Sequence, residues 1–263
     1  MYISMTIMSN PLFYSLLVGA LVGAASAYLG SLMVLKRLGL VGDALSHVAL
    51  PGIGIALTWH LNPFLGAFTA LALGVLIIWQ IGRVTSIPTE SIVGLIFAVA
   101  LAVGLLVTPE PELLEALFGD ISKVVLSDLI LTSALTTAVI ILTVLMRRVL
   151  MLGILSRDFA KAQGVKVDLV DLLFLSLVAI VVALGVKVVG TLLMGALVVI
   201  PAISAKNLST SFRTYGVISV IFGIISAVGG IVFASYANLP PGPMVVLTSA
   251  GIFLLSFFFR RTS

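Results

Sequence analysis

Asp43 and His47 lie four residues apart in an otherwise apolar run, Gly42-Asp43-Ala44-Leu45-Ser46-His47-Val48-Ala49-Leu50-Pro51-Gly52. An i, i+4 spacing puts both side chains on one face of a helix, one turn apart. A carboxylate oxygen and an imidazole nitrogen together suit borderline divalent ions such as zinc, manganese or ferrous iron. The same spacing suits a buried Asp–His hydrogen bond that only ties helices together, and spacing alone does not choose between the two. Two ligands do not fill a tetrahedral site, so either other spans contribute or two copies of the chain meet on a symmetry axis. Pro51 and Gly52 follow at once and are expected to break or kink the helix and open a cavity beside the pair.

Other candidates have plainer explanations. His60, next to Trp59, reads as an interfacial residue. Glu90 reads as an acid at the start of a helix, and Lys187 as a lysine snorkelling from a helix end. The eight methionines are scattered, which suits core filling. No cysteine is present, which excludes disulfides, thiolate ligands and cysteine nucleophiles. His-Glu-x-x-His, Gly-x-Ser-Gly, the paired aspartates of a membrane aspartyl protease and the P-loop Gly-x-x-x-x-Gly-Lys-[Ser/Thr] are all missing from the sequence. Any work driven by ATP must therefore come from a separate polypeptide.

The elements that hold these residues are membrane helices. Of the 263 residues, 61% are hydrophobic and 9% are charged, against roughly a quarter charged in a soluble domain. Apolar runs of helical length are expected near 11–35, 42–60, 63–82, 90–108, 126–146, 169–187, 189–205, 214–236 and 243–259. The run at 189–205 is short and contains Pro201, so a broken or re-entrant segment is an alternative there. The expected fold is an all-α bundle of eight or nine transmembrane helices forming one domain over 1–263. The first ten residues carry no Lys or Arg, which favours a first transmembrane helix over a cleaved signal peptide.

The net charge of +4 reads as topology information and not as a nucleic-acid footprint. Counting alternate loops puts Lys36, Arg37, Arg83, Arg147, Arg148, Arg157, Lys161, Lys166, Lys206, Arg213, Arg260 and Arg261 on one side, with Lys123 and Lys187 on the other. The positive-inside rule makes the richer side cytoplasmic, with the N-terminus outside and the C-terminus inside. This parity needs nine crossings or a re-entrant pair. Two loops exceed simple connectors: an acidic outer one, 109–125, with Glu110, Glu112, Glu115 and Asp120, and a basic inner one, 147–168. The acidic loop would either attract a cation or meet a donor protein, or be merely solvated. Gly19, Gly23 and their small neighbours Ala20, Ala24, Ala27 and Gly30 give the first helix a face for close packing within the bundle.

The run Gly30-Ser31-Leu32-Met33-Val34-Leu35-Lys36-Arg37 followed by Gly42 to Gly52 resembles the metal-type ABC importer permeases. The resemblance continues through Phe118-Gly119-Asp120-Ile121, Asp158 to Val165, Val186 to Leu193 and Ala196 to Ala202. It implies a homodimer in a prokaryotic cell membrane, contacting lipid and pairing with two cytoplasmic ATPase subunits. It also implies an extracytoplasmic binding protein that delivers zinc, manganese or iron as substrate, with no cofactor held covalently. By the same resemblance, Asp43 and His47 match an in-pathway Asp-x-x-x-His. Arg157, Asp158, Ala160, Ala162 and Gly164 are similar to the segment that docks on the ATPase. The alternative is a stand-alone ion- or proton-coupled carrier in which Asp43 and His47 relay protons.

Overall fold

A computed structural model describes residues 11–120 and 123–259. Arg260, Arg261 and Ile121, used above for charge parity and resemblance, lie outside them. The elements are α1 (Pro11–Leu35), α2 (Gly39–Thr58), α3 (Pro63–Val84), α4 (Thr89–Val107), α5 (Glu110–Phe118) and α6 (Leu126–Leu155). The order continues through α7 (Arg157–Ala162), α8 (Val167–Val189), α9 (Thr191–Leu208), α10 (Phe212–Ala237) and α11 (Pro241–Phe258).

Eight of the described helices (α1–α4, α6, α8, α10 and α11) are long and apolar enough to cross a membrane. The segment expected at 189–205 forms α9, a helix of 18 residues. It is one continuous helix through Pro201, and the chain breaks before it, at Gly190, where φ is +87°. α9 packs on α1, α2, α10 and α11. Around it α1, α2 and α8 are mostly buried, while α3, α4, α6 and α11 turn most of their surface outward. That outward surface is apolar, as lipid requires.

Local chemistry sets several helix ends. Asn62 caps α3, its side-chain oxygen accepting from the Phe64 amide at 2.9 Å, with Pro63 at the first helical position. Ser156 caps α7 in the same way, accepting from the Phe159 amide. α1 ends where Arg37 adopts φ +59° and the Leu38 amide bonds back to the Met33 carbonyl at 2.8 Å, a left-handed stop that folds α2 against the bundle.

Two expectations change. Pro51 and Gly52 do not end α2, which runs unbroken from Gly39 to Thr58. The membrane tolerates the proline because neighbouring helices cover the weakened turn: Gly52 meets the Gly66 backbone of α3 so closely that a Cβ would stand 2.1 Å from that carbonyl oxygen. The basic loop expected at 147–168 is also shorter, since α6 continues past Arg147 and Arg148 to Leu155. At 30 residues it is about 45 Å long, more than a hydrocarbon core of about 30 Å needs. The small-residue face of α1 packs on α10, with Gly23 against the Gly223 backbone.

Candidate functional site

α2 carries both Asp43 and His47 into the middle of the fold, wedged between α4 on one side and α9 on the other. Asp43 is held against α9 because residue 195 there is glycine. A Cβ at Gly195 would fall 2.5 Å from the Asp43 Cα and Cβ and 2.7 Å from its Oδ1. One residue earlier, Gly42 meets the Val198 side chain. Ser46 donates its hydroxyl to the main-chain carbonyl of Asp43 at 2.7 Å.

His47 is 3% exposed. The Phe97 ring of α4 meets it edge-on, with centroids 4.9 Å apart and planes at 82°, fixing the imidazole by packing. Its Nδ1 is buried and has no hydrogen-bond partner. Among the described residues no hydrogen bond joins the Asp43 carboxylate to His47. Nor does a third His, Asp or Glu gather beside them. Pro51, one turn on, has no amide to give the His47 carbonyl. A buried nitrogen lone pair or N–H left unmatched in an apolar interior is costly, and such a group is ready for an entering partner.

The remaining sequence candidates fall elsewhere. His60 is exposed at the end of α2 with φ +55°, and Glu90 is exposed in the first turn of α4. Lys187 donates to Asp128 of α6 at 2.6 Å. The acidic loop at 109–125 contains α5, which borders a cavity of about 530 Å³ whose lining includes Asn62, Glu112, Glu115, Lys123 and Lys187. Lys123 donates to the Glu115 carboxylate, and that hydrogen bond raises its pKa above the usual lysine value.

On the side of the α1–α2 turn, Arg157 opens α7 and forms ion pairs at 3.1 Å with both Asp168 and Asp171 of α8. Lys36, at the end of α1, also pairs with Asp171 and lies over the Phe174 ring. Trp79 of α3 donates its indole N–H to the Asp168 carbonyl at 2.7 Å. Ala160 is fully buried, Asp158 and Ala162 are exposed, and Gly164 takes φ +78° just past the helix. Leu155 and Phe159 stand exposed at 82% and 54%, leaving an apolar patch beside the charges. Composition and spacing pointed to none of Asp168, Asp171, Gly195 or Phe97. Only their neighbours across the fold give them a role.

The model of the ABC 3 transport family matches residues 8–260. The chain is 32% identical over 272 residues to the zinc transport system membrane protein TroC of Treponema pallidum, covering 97% of this chain and 91% of that one. It is 30% identical over 255 residues to the manganese import system permease protein ScaB of Streptococcus gordonii, covering 95% and 90%. PsaBC from Streptococcus pneumoniae, solved in complex with Fab, superposes with a TM-score of 0.83 at 28% identity over 94% of this chain and 90% of that chain. With the match running nearly end to end, this multi-pass membrane chain belongs to the ABC 3 transport family.

Proposed function

We propose that the chain is the membrane-spanning subunit of an ATP-driven importer for a divalent transition metal, zinc or manganese, in a prokaryotic cell membrane. Asp43 and His47 contact the ion in transit. The observation that carries this reading is the buried His47 imidazole, one turn from Asp43, whose Nδ1 has no partner. The names of the relatives support zinc and manganese alike, and the donor set also accepts ferrous iron.

Two copies of the chain form the pathway, each giving one Asp and one His. Metal arrives from an extracytoplasmic binding protein on the N-terminal side. Two cytoplasmic ATPase subunits dock on α7 around Arg157, Asp158, Ala160, Ala162 and Gly164. Their closure and separation swing the inner helix ends, exposing the ion alternately outward and inward. A pathway must release what it binds, and one carboxylate with one neutral imidazole per copy makes a weak site.

The test is radiometal uptake by the complete complex in proteoliposomes, with zinc, manganese and iron supplied separately. Replacing both Asp43 and His47 with Ala is expected to reduce uptake to background while the permease still co-purifies with its ATPase. Full uptake by that double variant would sink the assignment. Uptake by the permease alone, with neither ATPase nor ATP, would favour a secondary carrier instead.

A further inference from the structure

Many buried hydroxyls in this bundle return to their own helix. Thr136, Thr143, Ser204, Ser219 and Ser249 each donate to the carbonyl four residues back, at 2.6 to 2.8 Å, the usual resort of Ser and Thr in apolar surroundings. Thr191 does not. It is fully buried, yet its Oγ1 has no partner. The cause lies in the backbone. Gly190, at φ +87°, separates α8 from α9, so Thr191 opens a new helix with no turn of its own behind it. The carbonyl four residues back, that of Lys187, instead receives the Asp120 amide at 3.2 Å.

The position of this hydroxyl follows from helix register. Gly42 meets Val198 and Asp43 meets Gly195, so chain numbers rise on α2 as they fall on α9, and the two helices run antiparallel. Four residues from the Asp43–Gly195 contact, toward α5, stand His47 on α2 and Thr191 on α9. Each is about 6 Å further along its axis. The α5 end is fixed on the α9 side by Gly190, which packs on the Leu117 and Phe118 backbone. Two buried polar atoms without partners, His47 Nδ1 and Thr191 Oγ1, thus occupy the same level on adjoining helices. Ser26, Ser226, Tyr215 and Glu112 also carry unpartnered polar atoms, but they belong to α1, α10 and α5, none of which packs along α2 as α9 does at Asp43.

We propose that the Thr191 hydroxyl is a third donor to the divalent metal ion in transit, acting beside Asp43 and His47 of the same chain. The inference rests on the metal-import reading and adds a residue to it. A hydroxyl oxygen offers the ion or one of its waters a lone pair without adding charge. The site then keeps a single negative charge per copy and releases its ion readily. Because α9 carries Thr191 and α2 carries the other two, sliding one helix past the other separates the donors. That movement would load and unload the ion.

The experiment compares wild type with Thr191→Val, which keeps shape and removes the hydroxyl, and Thr191→Ser, which keeps the hydroxyl. Uptake of manganese and zinc is measured for the complete complex. Manganese binding to the purified permease, without binding protein, is read from loss of the free-ion EPR signal. Thr191→Val is expected to bind manganese about tenfold more weakly than wild type, with a matching fall in uptake, while Thr191→Ser stays within about twofold. The melting temperature of Thr191→Val should equal or exceed that of wild type, since an unmatched buried hydroxyl is being removed. Wild-type binding and uptake in Thr191→Val would overturn the inference, as would a lowered melting temperature in that variant, which would make the hydroxyl structural. A wild-type complex that carries neither metal would overturn the import reading itself, a result distinguishable from both.

Discussion

Gly195 is the residue on which the geometry of Asp43 most depends. Its missing side chain lets α9 approach until a Cβ would sit 2.5 Å from the Asp43 backbone, and backbone cannot swing aside as a flexible side chain can. Gly195→Ala should therefore push α2 from α9, costing about 1–3 kcal/mol through overpacking and cutting uptake along with thermal stability. Gly251→Ala is the contrasting case. Open space surrounds that position on α11, so alanine should leave uptake unchanged and raise stability by about 0.5–1 kcal/mol. Melting curves of the purified permease, run beside uptake assays, separate the two. The Asp43–His47 pair was legible in the sequence because ionisable groups four apart in a 9% charged chain are conspicuous. Gly195 and Thr191 were not, because they reach the pair only when two antiparallel helices far apart in the chain are brought together.

At the scale of elements, the spans were legible wherever apolar runs end in turn chemistry, as at Asn62-Pro63. The end of α6 was not. Arg147 and Arg148 interrupt the apolar run, yet Arg, Leu and Met all favour helix, so the backbone continues to Leu155. Helix α2 also runs on through Pro51, just where it meets α3 at the close Gly52–Gly66 contact. Extending α6 brings α7 against α8, where Asp171 holds Arg157 and Lys36 together. The α7 segment, the end of α1 and the turn into α2 are thereby tied at one carboxylate that is only 21% exposed. Asp171→Asn should cost about 2 kcal/mol, because charge-assisted hydrogen bonds are lost and a largely buried lysine is stranded. It should also lower metal carried per ATP hydrolysed in the complete complex more than it lowers hydrolysis itself. Equal losses in both would show that the tie serves stability alone. The exposed Lys123–Glu115 pair makes the comparison, since Glu115→Gln should change stability by less than about 1 kcal/mol.

For the whole molecule, the decisive question is which way the bundle faces and whether α9 crosses it. The basic residues near the α1–α2 turn, α7 and the α9–α10 turn share one side only if α9 passes through. Its 18 residues span about 27 Å, close to a hydrocarbon core of about 30 Å, and helices on several sides shield it from lipid. The chain has no cysteine, so single cysteines report sidedness without background. Leu114→Cys on α5, Phe159→Cys on α7 and Thr210→Cys between α9 and α10 all replace exposed residues. With a membrane-impermeant maleimide, Leu114→Cys should label in intact cells, and Phe159→Cys and Thr210→Cys only in inverted vesicles. Labelling of Thr210→Cys together with Leu114→Cys would mean that α9 turns back within the membrane. The antiparallel α2–α9 seam would then join a crossing helix to a re-entrant one. Labelling of Phe159→Cys from outside would reverse the whole bundle and remove α7 from reach of any cytoplasmic ATPase.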